Sequence, residues 1–174
     1  MRRQMRLSGS GGQGVITAAI ILAEAAVSEG KQAVQSQSYG PEARGGASKS
    51  EVIIDDGKIF HPHVKHPDYV LAMTQKAADK YFEDMDPNGV LVLDSDLVPS
   101  VPDVKNVVQI PITKMAVEKL GKALFANIIA LGALVKLTKI VELDTIKRSV
   151  AKRVPPSTVK ENMYALQLGY DAVA

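Results

Sequence analysis

The chain has 174 residues and carries 21 Lys and Arg against 19 Asp and Glu, which gives a formal net charge of +2. Hydrophobic residues make up 46% and charged residues 23%, a composition typical of a globular domain with a hydrophobic core rather than of a disordered chain. The basic residues form no run of the kind that binds DNA or RNA. We therefore expect one domain, residues 1–174, with no nucleic-acid partner.

The sequence contains no cysteine. This excludes from the chain a disulfide framework, a thiolate nucleophile, a cysteine-ligated zinc ion and a cysteine-held iron–sulfur cluster. The charged N-terminus leads into a glycine loop rather than into the apolar region of a signal peptide. The apolar stretch at residues 123–137 is interrupted by Asn127 and Gly132 and is too short to span a bilayer. We expect a cytoplasmic protein without a membrane partner.

The first part of the sequence predicts a strand, a glycine loop, a helix and a second strand. Residues 5–8 form the first strand, and the helix at 15–29 is rich in Ala, Ile and Leu and ends before Gly30. Residues 33–38 are the second strand. Further along, 48–54 and 58–61 flank Asp55-Asp56-Gly57, a sequence typical of a hairpin turn. The pattern predicts a parallel β-α-β unit followed by an inserted β-hairpin.

Strands and helices alternate in the middle of the chain, and helices dominate its end. We predict strands at residues 69–73, 90–94 and 106–110, and helices at 75–85, 113–120, 124–137, 143–153 and 158–170. Thr158 and Glu161 have the spacing of a capping box at the start of the last helix. The expected fold class is α/β, with three layers, a mostly parallel sheet, an inserted β-hairpin and a helical C-terminal third.

The glycine loop follows the pattern Gly9-x-Gly11-x-x-Gly14. Glycines let backbone N–H groups approach a pyrophosphate, and the helix N-terminus adds partial positive charge. Dehydrogenases with this pattern carry an acidic residue about 20 positions later that binds the ribose, but residues 33–38 contain no Asp or Glu. This argues against a nicotinamide cofactor. Two interpretations stay open: a tight turn, or a site for an anionic group of another ligand.

A second unusual loop follows the second strand, at residues 38–46. It is rich in turn-forming residues, so we expect it on the surface. Like the glycine loop, it leaves the carboxyl end of a strand, where ligands gather in α/β sheets. Arg44 has donors suited to a phosphate or a carboxylate, and Gly45 and Gly46 allow unusual backbone conformations. The alternative is a solvated turn in which Glu42 and Arg44 are surface charges.

Together, these loops resemble a known family. The segment Ser8-Gly9-Ser10-Gly11-Gly12-Gln13-Gly14-Val15, followed by Ser38-Tyr39-Gly40-Pro41-Glu42-Ala43-Arg44-Gly45-Gly46, looks like the paired signature of the gamma subunit of 2-oxoacid:ferredoxin oxidoreductases. The later stretches Asn127-Ile128-Ile129-Ala130-Leu131-Gly132 and Glu161-Asn162-Met163-Tyr164-Ala165-Leu166, with Gly169-Tyr170, also resemble that family. The resemblance covers nearly the whole chain.

The resemblance implies a chemical reaction that this chain does not perform alone. Members oxidatively decarboxylate a 2-oxoacid with coenzyme A to acyl-CoA, carbon dioxide and reduced ferredoxin. Thiamine diphosphate with Mg²⁺ and the iron–sulfur clusters would lie on the alpha, beta and ferredoxin-like delta subunits, and ferredoxin would accept the electrons. The sequence agrees, because it has neither cysteines nor a Gly-Asp-Gly metal motif of the thiamine type. We assign it no catalytic residue and favour 2-oxoglutarate as the substrate by similarity.

The resemblance also implies that the gamma subunit contributes to coenzyme A binding. The residues that would cradle or contact the coenzyme are Gly9, Ser10, Gly11, Gly12, Gln13, Gly14, Tyr39, Arg44, Gly45 and Gly46. An equal alternative makes both loops contact surfaces for partner subunits. An alternative of a different class is a stand-alone nucleotide-binding or regulatory protein.

Three other features have competing interpretations. His61, His63 and His66 cluster within six positions, but prolines interrupt them and their ligand set is incomplete, so we expect no metal site there. Asp94-Ser95-Asp96 ends a strand and is expected to cap a loop rather than to face a cation or a ribose. Asn127 lies in an apolar helix and needs hydrogen-bond partners, either at the active site or on a neighbouring loop.

Overall fold

A computed structural model describes residues 1–38 and 46–174. Two short 3₁₀ turns, Ala123–Phe125 and Pro156–Thr158, precede the fourth and sixth helices. In the described residues the strands are β1 (Arg2–Ser10), β2 (Gln32–Gln37), β3 (Ala47–Asp55), β4 (Tyr69–Ala72), β5 (Val90–Asp94) and β6 (Asn106–Ile110). The helices are α1 (Val15–Ser28), α2 (Gln75–Tyr81), α3 (Ile112–Leu120), α4 (Ala126–Thr138), α5 (Leu143–Arg153) and α6 (Val159–Asp171).

The strands form one mixed sheet in the order β2-β3-β1-β4-β5-β6. β3 pairs antiparallel with both β1 and β2, whereas β4, β5 and β6 continue from β1 in parallel. Five strands thus point in one direction and only β3 opposes them among the described residues. This confirms the mostly parallel α/β sheet with an antiparallel hairpin.

The hairpin is not built from the segments that the turn sequence indicated. Residues 58–61 form no strand, and β3 pairs instead with β2, for example Ile53 with Val34. The Asp55 turn does form, because Gly57 N donates to Asp55 Oδ1 at 3.2 Å, but it leads away from the sheet. The second half of β3 contains the apolar run Val52–Ile54, and the strand gains partners on both of its edges by lying between β1 and β2. The segment after the turn ends at a proline, which cannot donate to a strand ladder.

Helices cover both faces of the sheet and complete three layers. The main core joins α1, α3, α4, α5 and α6 to the sheet face that carries Met5, Leu7, Val52 and Ile54. A smaller core joins α2 to the other face through residues of β4 and β5. Ten of the 13 residues of α4 are buried, so this helix lies in the middle of its layer. The helical C-terminal third is confirmed, and none of the described helices is long and apolar enough to cross a membrane.

The predicted capping box at the start of α6 does not form. The Thr158 hydroxyl donates to Pro155 O at 2.9 Å and accepts from Asn162 Nδ2 at 3.1 Å, so it makes no capping bond to the helix backbone. The cause is the 3₁₀ turn that starts at Pro156, which draws the hydroxyl backward along the chain. Glu161 makes no reciprocal bond, and its Oε2 has no hydrogen-bond partner.

α4 and α6 pack with their backbones in close contact. An added Cβ on Gly132 would lie 2.1 Å from Leu166 O, and one on Gly169 would lie 1.7 Å from Ile129 O. Real carbon and oxygen atoms do not approach so closely, and the obstacle in both cases is backbone rather than a mobile side chain. The two glycines therefore set the distance between these helices. Both belong to the C-terminal stretches that carry the family resemblance.

Candidate functional site

The glycine loop and the start of β3 lie side by side at the carboxyl edge of the sheet. β1 ends at Ser10, which pairs with Ala47, and Gly9 pairs with Ser48. β2 ends at the same edge, where Ser38 N donates to Lys49 O at 3.1 Å. The residues that follow the second loop therefore adjoin the glycine loop, whereas Ser38 lies one strand further away, and Gly46 forms a bend directly before β3. Tyr39, Arg44 and Gly45 lie outside the described residues.

Gln13 stabilises the glycine loop through two hydrogen bonds of its side-chain amide. Its Oε1 accepts from Ser10 N at 2.7 Å, and its Nε2 donates to Met73 O at the end of β4 at 3.4 Å. An added Cβ on Gly9 would lie 2.4 Å from Gln13 Oε1, so glycine at position 9 makes room for this contact. Gly9 and Gln13 thus shape the loop, and the Gln13 amide faces the protein rather than the cleft.

Two glycines of the loop adopt left-handed backbone conformations. Gly12 has φ +95° and Gly14 has φ +78°, a region that other residues enter at a cost of about 1–2 kcal/mol. A Cβ on Gly12 would meet no atom within 4 Å, so the space in front of this residue is open. A Cβ on Gly14 would instead lie 2.5 Å from Asn127 Nδ2. Gly12 faces outward and Gly14 is covered by α4.

Asn127, in the first turn of α4, contacts the loop directly. Its Nδ2 donates to Gly14 O at 3.2 Å. This answers the question that the sequence left open, since the amide satisfies a loop backbone and that loop is the candidate site itself. The contact fixes the start of α1 against the start of α4. No pattern in the sequence indicates it, because the two residues are 113 positions apart.

The N-terminus of α1 points into the cleft without a side-chain cap. Gly14 is the N-cap residue, no side chain accepts from the first-turn amides, and the first turn contains no acidic residue. The first amides of a helix have no partner within it, and the helix dipole adds about half a positive charge there. This is the arrangement to which phosphate and carboxylate groups bind.

The cleft in front of this helix has a volume of about 290 Å³. Four of the predicted residues line it, together with two apolar residues of α1 and one serine of β3, and none of these residues is charged. The lining residues are Ser10, Gly11, Gly12, Gly14, Val15, Ile16 and Ser48. The sequence missed Ser48, because only the pairing of β3 with β1 brings it to the loop.

Asp94 caps its own loop, as predicted, and it also holds the first turn of α3, which was not predicted. Asp94 Oδ2 accepts from Thr113 N at 3.1 Å and from Thr113 Oγ1 at 2.5 Å, in the first turn of α3. Its Oδ1 accepts from Asp96 N at 3.0 Å. Burial raises the pKa of Asp94 above its ordinary value, while these hydrogen bonds act in the opposite direction. Both carboxylate oxygens thus accept hydrogen bonds from backbone or hydroxyl donors of the chain itself.

The histidine cluster lies at the opposite, amino edge of the sheet. Residues 56–68 connect the end of β3 to the start of β4, and His61 and His63 are exposed. His66 Nδ1 lies 3.1 Å from Asp84 O. Across residues 1–38 and 46–174, no three His, Cys, Asp or Glu side chains are arranged to hold a metal ion. The cluster is therefore separate from the glycine-loop cleft.

Comparisons with known proteins agree on one family. Residues 4–172 match the family model described as pyruvate ferredoxin/flavodoxin oxidoreductase. The chain is 46% identical to the 2-oxoglutarate synthase subunit KorC of Methanocaldococcus jannaschii, over 98% of this chain and 94% of that protein. It is 32% identical to the pyruvate synthase subunit PorC of Methanothermobacter thermautotrophicus, over 98% of this chain and 95% of that protein.

A solved structure gives the same result. The gamma subunit of a keto/oxoacid ferredoxin oxidoreductase from Geobacter sulfurreducens is 46% identical to the chain. It superimposes with a TM-score of 0.91 over 99% of this chain and 96% of that one. The α/β fold, including the inserted β3, is thus the fold of that gamma subunit.

Proposed function

The chain belongs to the pyruvate ferredoxin/flavodoxin oxidoreductase family as the gamma subunit of a 2-oxoacid:ferredoxin oxidoreductase, and we propose that its glycine-loop cleft binds an anionic group of coenzyme A. The observation that supports this most is the uncapped N-terminus of α1 behind the outward-facing Gly12. Backbone N–H groups at such a terminus are suited to the pyrophosphate of the coenzyme. The chain supplies a binding surface and no catalytic residue.

The described residues that line the cleft carry no charge, which limits how strongly they can hold an anion. An anion bound there is held by backbone amides and the helix dipole, each worth modest energy when exposed to solvent. Affinity therefore depends on further donors. We propose that Arg44 and Tyr39 of the second loop supply charge pairing and stacking, on the basis of their chemistry and of the family resemblance. The apolar Val15 and Ile16 form the wall on the α1 side.

We propose 2-oxoglutarate as the substrate of the assembled enzyme. The identity is 46% to a 2-oxoglutarate synthase subunit and 32% to a pyruvate synthase subunit, each over nearly the full chain. The partners are alpha, beta and ferredoxin-like delta subunits, which carry thiamine diphosphate, Mg²⁺ and iron–sulfur clusters, and ferredoxin is the electron acceptor. This chain, without cysteine, holds none of the clusters through thiolates.

A second function of the same edge is subunit assembly. Leu124 precedes α4, three residues before Asn127 and its contact with Gly14, and it is 69% exposed. Val117 of the neighbouring α3 is 49% exposed. We propose that a partner subunit covers these two exposed side chains. Ligand binding and subunit contact are compatible, because neither Leu124 nor Val117 lines the cleft.

Substitution of Gly12 tests coenzyme A binding. Asn and Asp both tolerate the left-handed conformation, have nearly equal size and differ in charge. In the reconstituted complex we expect Gly12→Asp to raise the KM for coenzyme A at least about five-fold relative to Gly12→Asn, because a carboxylate about 4 Å from a phosphate costs roughly 1–4 kcal/mol. The KM for the 2-oxoacid should change little.

The matched control is Gly30, at the other end of α1. It also has a positive φ, +85°, and an added Cβ there would meet nothing within 4 Å. Gly30→Asp and Gly30→Asn should therefore carry the same left-handed backbone strain as the Gly12 variants but leave the KM for coenzyme A unchanged. Equal KM values for the two Gly12 variants would exclude the anion site. Failure of Gly12→Asp to copurify with the other subunits would instead identify the loop as an assembly contact.

A further inference from the structure

The chain between α3 and α4 forms an exposed corner. Gly121 caps the end of α3 in the left-handed conformation, and its N–H donates to Val117 O at 3.0 Å. The 3₁₀ turn Ala123–Phe125 then leads into α4 and packs against α3. Seven of the eight residues from 117 to 124 are exposed. We call residues 114–124 the α3–α4 corner, a surface that these contacts hold in shape and that is open to solvent on its outer side.

Two large apolar side chains project from this corner. Val117 is 49% exposed and Leu124 is 69% exposed, and neither belongs to the hydrophobic core. α3 contacts the core through its buried residues Ile112 and Ala116, so Val117 lies on the outer face of the helix. Both side chains therefore leave apolar surface in water, and burial by a partner would remove that cost.

Lysines surround these two apolar side chains. Lys114 lies one turn before Val117 on α3, and Lys119 and Lys122 follow it before the 3₁₀ turn. Glu118 is the only acidic residue of the corner, which leaves a formal charge of +2. All four charged side chains are exposed, and none of them forms an ion pair or a side-chain hydrogen bond with another described residue. The positive charge is thus available to an outside group.

The distribution of charge along the chain also favours a partner of opposite sign. Residues 111–174, which contain α3 to α6, have 10 Lys and Arg against 5 Asp and Glu, whereas residues 1–110 have 11 against 14. The helical third therefore carries the excess of positive charge. The outer side of α5 is basic as well, but none of the exposed large apolar residues of the described chain lies on that helix. The α3–α4 corner combines both properties.

We propose that the α3–α4 corner docks an acidic surface of another subunit of the complex, with Val117 and Leu124 buried in the contact and the three lysines paired with partner carboxylates. This rests on the assembly role proposed above and adds the chemistry of the partner. In specific interfaces, buried apolar residues provide affinity, and charges around them steer association. A free phosphate or carboxylate would gain nothing from the two apolar side chains, so a protein surface fits the corner better than a small anion.

Association kinetics with the remaining subunits of the complex test the lysines. Lys119→Glu combined with Lys122→Glu should lower the association rate constant at least about ten-fold at low ionic strength, and the wild-type rate constant should fall as salt is added. Lys65→Glu combined with Lys76→Glu makes the same change in net charge at exposed sites away from the corner and should leave the rate constant close to the wild-type value. All four residues are exposed, so circular dichroism should show an unchanged fold.

Dissociation kinetics test the apolar side chains. Val117→Ala and Leu124→Ala should each raise the dissociation rate constant at least about three-fold, because each removes atoms that the complex buries. Val27→Ala removes the same atoms from a valine on α1 that is 56% exposed and should change the rate constant little. Coenzyme A is absent from these measurements, so their result does not depend on whether the glycine-loop cleft binds it.

A carbodiimide crosslink identifies the partner group directly. The reagent joins a lysine amine to a carboxylate when the two are in contact, so in the assembled complex it should link Lys119 or Lys122 to an Asp or Glu of another subunit, as read by mass spectrometry. An association rate that depends neither on salt nor on the corner lysines, or the absence of any crosslink from these lysines to another subunit, would overturn the acidic partner. A chain that joins no complex at all would overturn the assembly role itself.

Discussion

Individual residues far apart in the sequence determine the shape of the candidate site. Asn127 fixes Gly14, Gln13 ties Ser10 to the end of β4, and Ser48 reaches the cleft through strand pairing. The sequence indicated the glycine loop because its spacing is local. It did not indicate these contacts, since they depend on how distant elements pack. The left-handed φ at Gly12 and Gly14 provides the physical reason for two of the glycines in the motif.

Arg6 forms the most buried ion cluster in the described residues. It lies on β1 and is 3% exposed. Its guanidinium donates to Glu51 at 2.8 Å, and to Asp84 at 2.5 and 3.0 Å. The hydrogen bonds from Arg6 lower the pKa of Asp84 below its ordinary value. A carboxyl group with a lowered folded-state pKa stabilises the fold above its unfolded-state pKa, about 3.8, and loses this contribution as the pH falls through the folded-state value.

We therefore expect Asp84→Asn to lower the free energy of unfolding at neutral pH and to lower it by a smaller amount in acid. The loss should be about 1 kcal/mol, because the Asp84 side chain is half exposed and Glu51 still pairs with Arg6. Urea unfolding at a series of pH values measures it, with the exposed Asp103→Asn as control. The difference from wild type should shrink as the pH falls below about 3.8. A difference that is constant with pH would contradict the assignment.

At the scale of helices and strands, the sequence predicted the features that depend on neighbouring residues and missed those that depend on how the elements pair and pack. All twelve helices and strands of the described residues were predicted within a few positions, because hydrophobic periodicity and turn residues act over short range. The predicted pairing partner of β3 was wrong, because the turn at Asp55 forms but residues 58–61 after it form no strand. The capping box at Thr158 was also wrong, because the preceding 3₁₀ turn uses the same hydroxyl.

The contact between α4 and α6 gives the sharpest prediction at this scale. Gly169→Ala places a Cβ on Ile129 O, and neither backbone can move without separating two buried helices. We expect a loss of about 3 kcal/mol or more in the free energy of unfolding. Gly132→Ala should behave similarly. Gly57→Ala, where a Cβ meets nothing and φ is not in the left-handed region, should change stability little. Equal stability of Gly169→Ala and Gly57→Ala by thermal unfolding would show that the helices do not pack this closely.

At the scale of the whole molecule, the fold brings the glycine loop, the start of β3 and the ends of the second loop to one edge of the sheet. The histidine segment lies at the other edge, and the free strand β2 lies at the side. The glycine-loop cleft and the histidine segment are thus spatially separate. The fold class could be predicted from the alternation of strands and helices, and the family from the two loop motifs together, since their order and spacing are specific. The cleft lining could not, because it requires the register of β1 with β3.

Backbone amide exchange in the assembled complex reports whether the glycine loop binds coenzyme A. Hydrogen–deuterium exchange of peptides covering residues 9–18 should slow when coenzyme A is added, since the amides at the start of α1 then donate to the ligand. Peptides covering residues 28–34, at the other end of α1, should be unchanged. We expect slower exchange that is confined to the glycine loop. Unchanged exchange at residues 9–18, in a complex that binds coenzyme A, would contradict it.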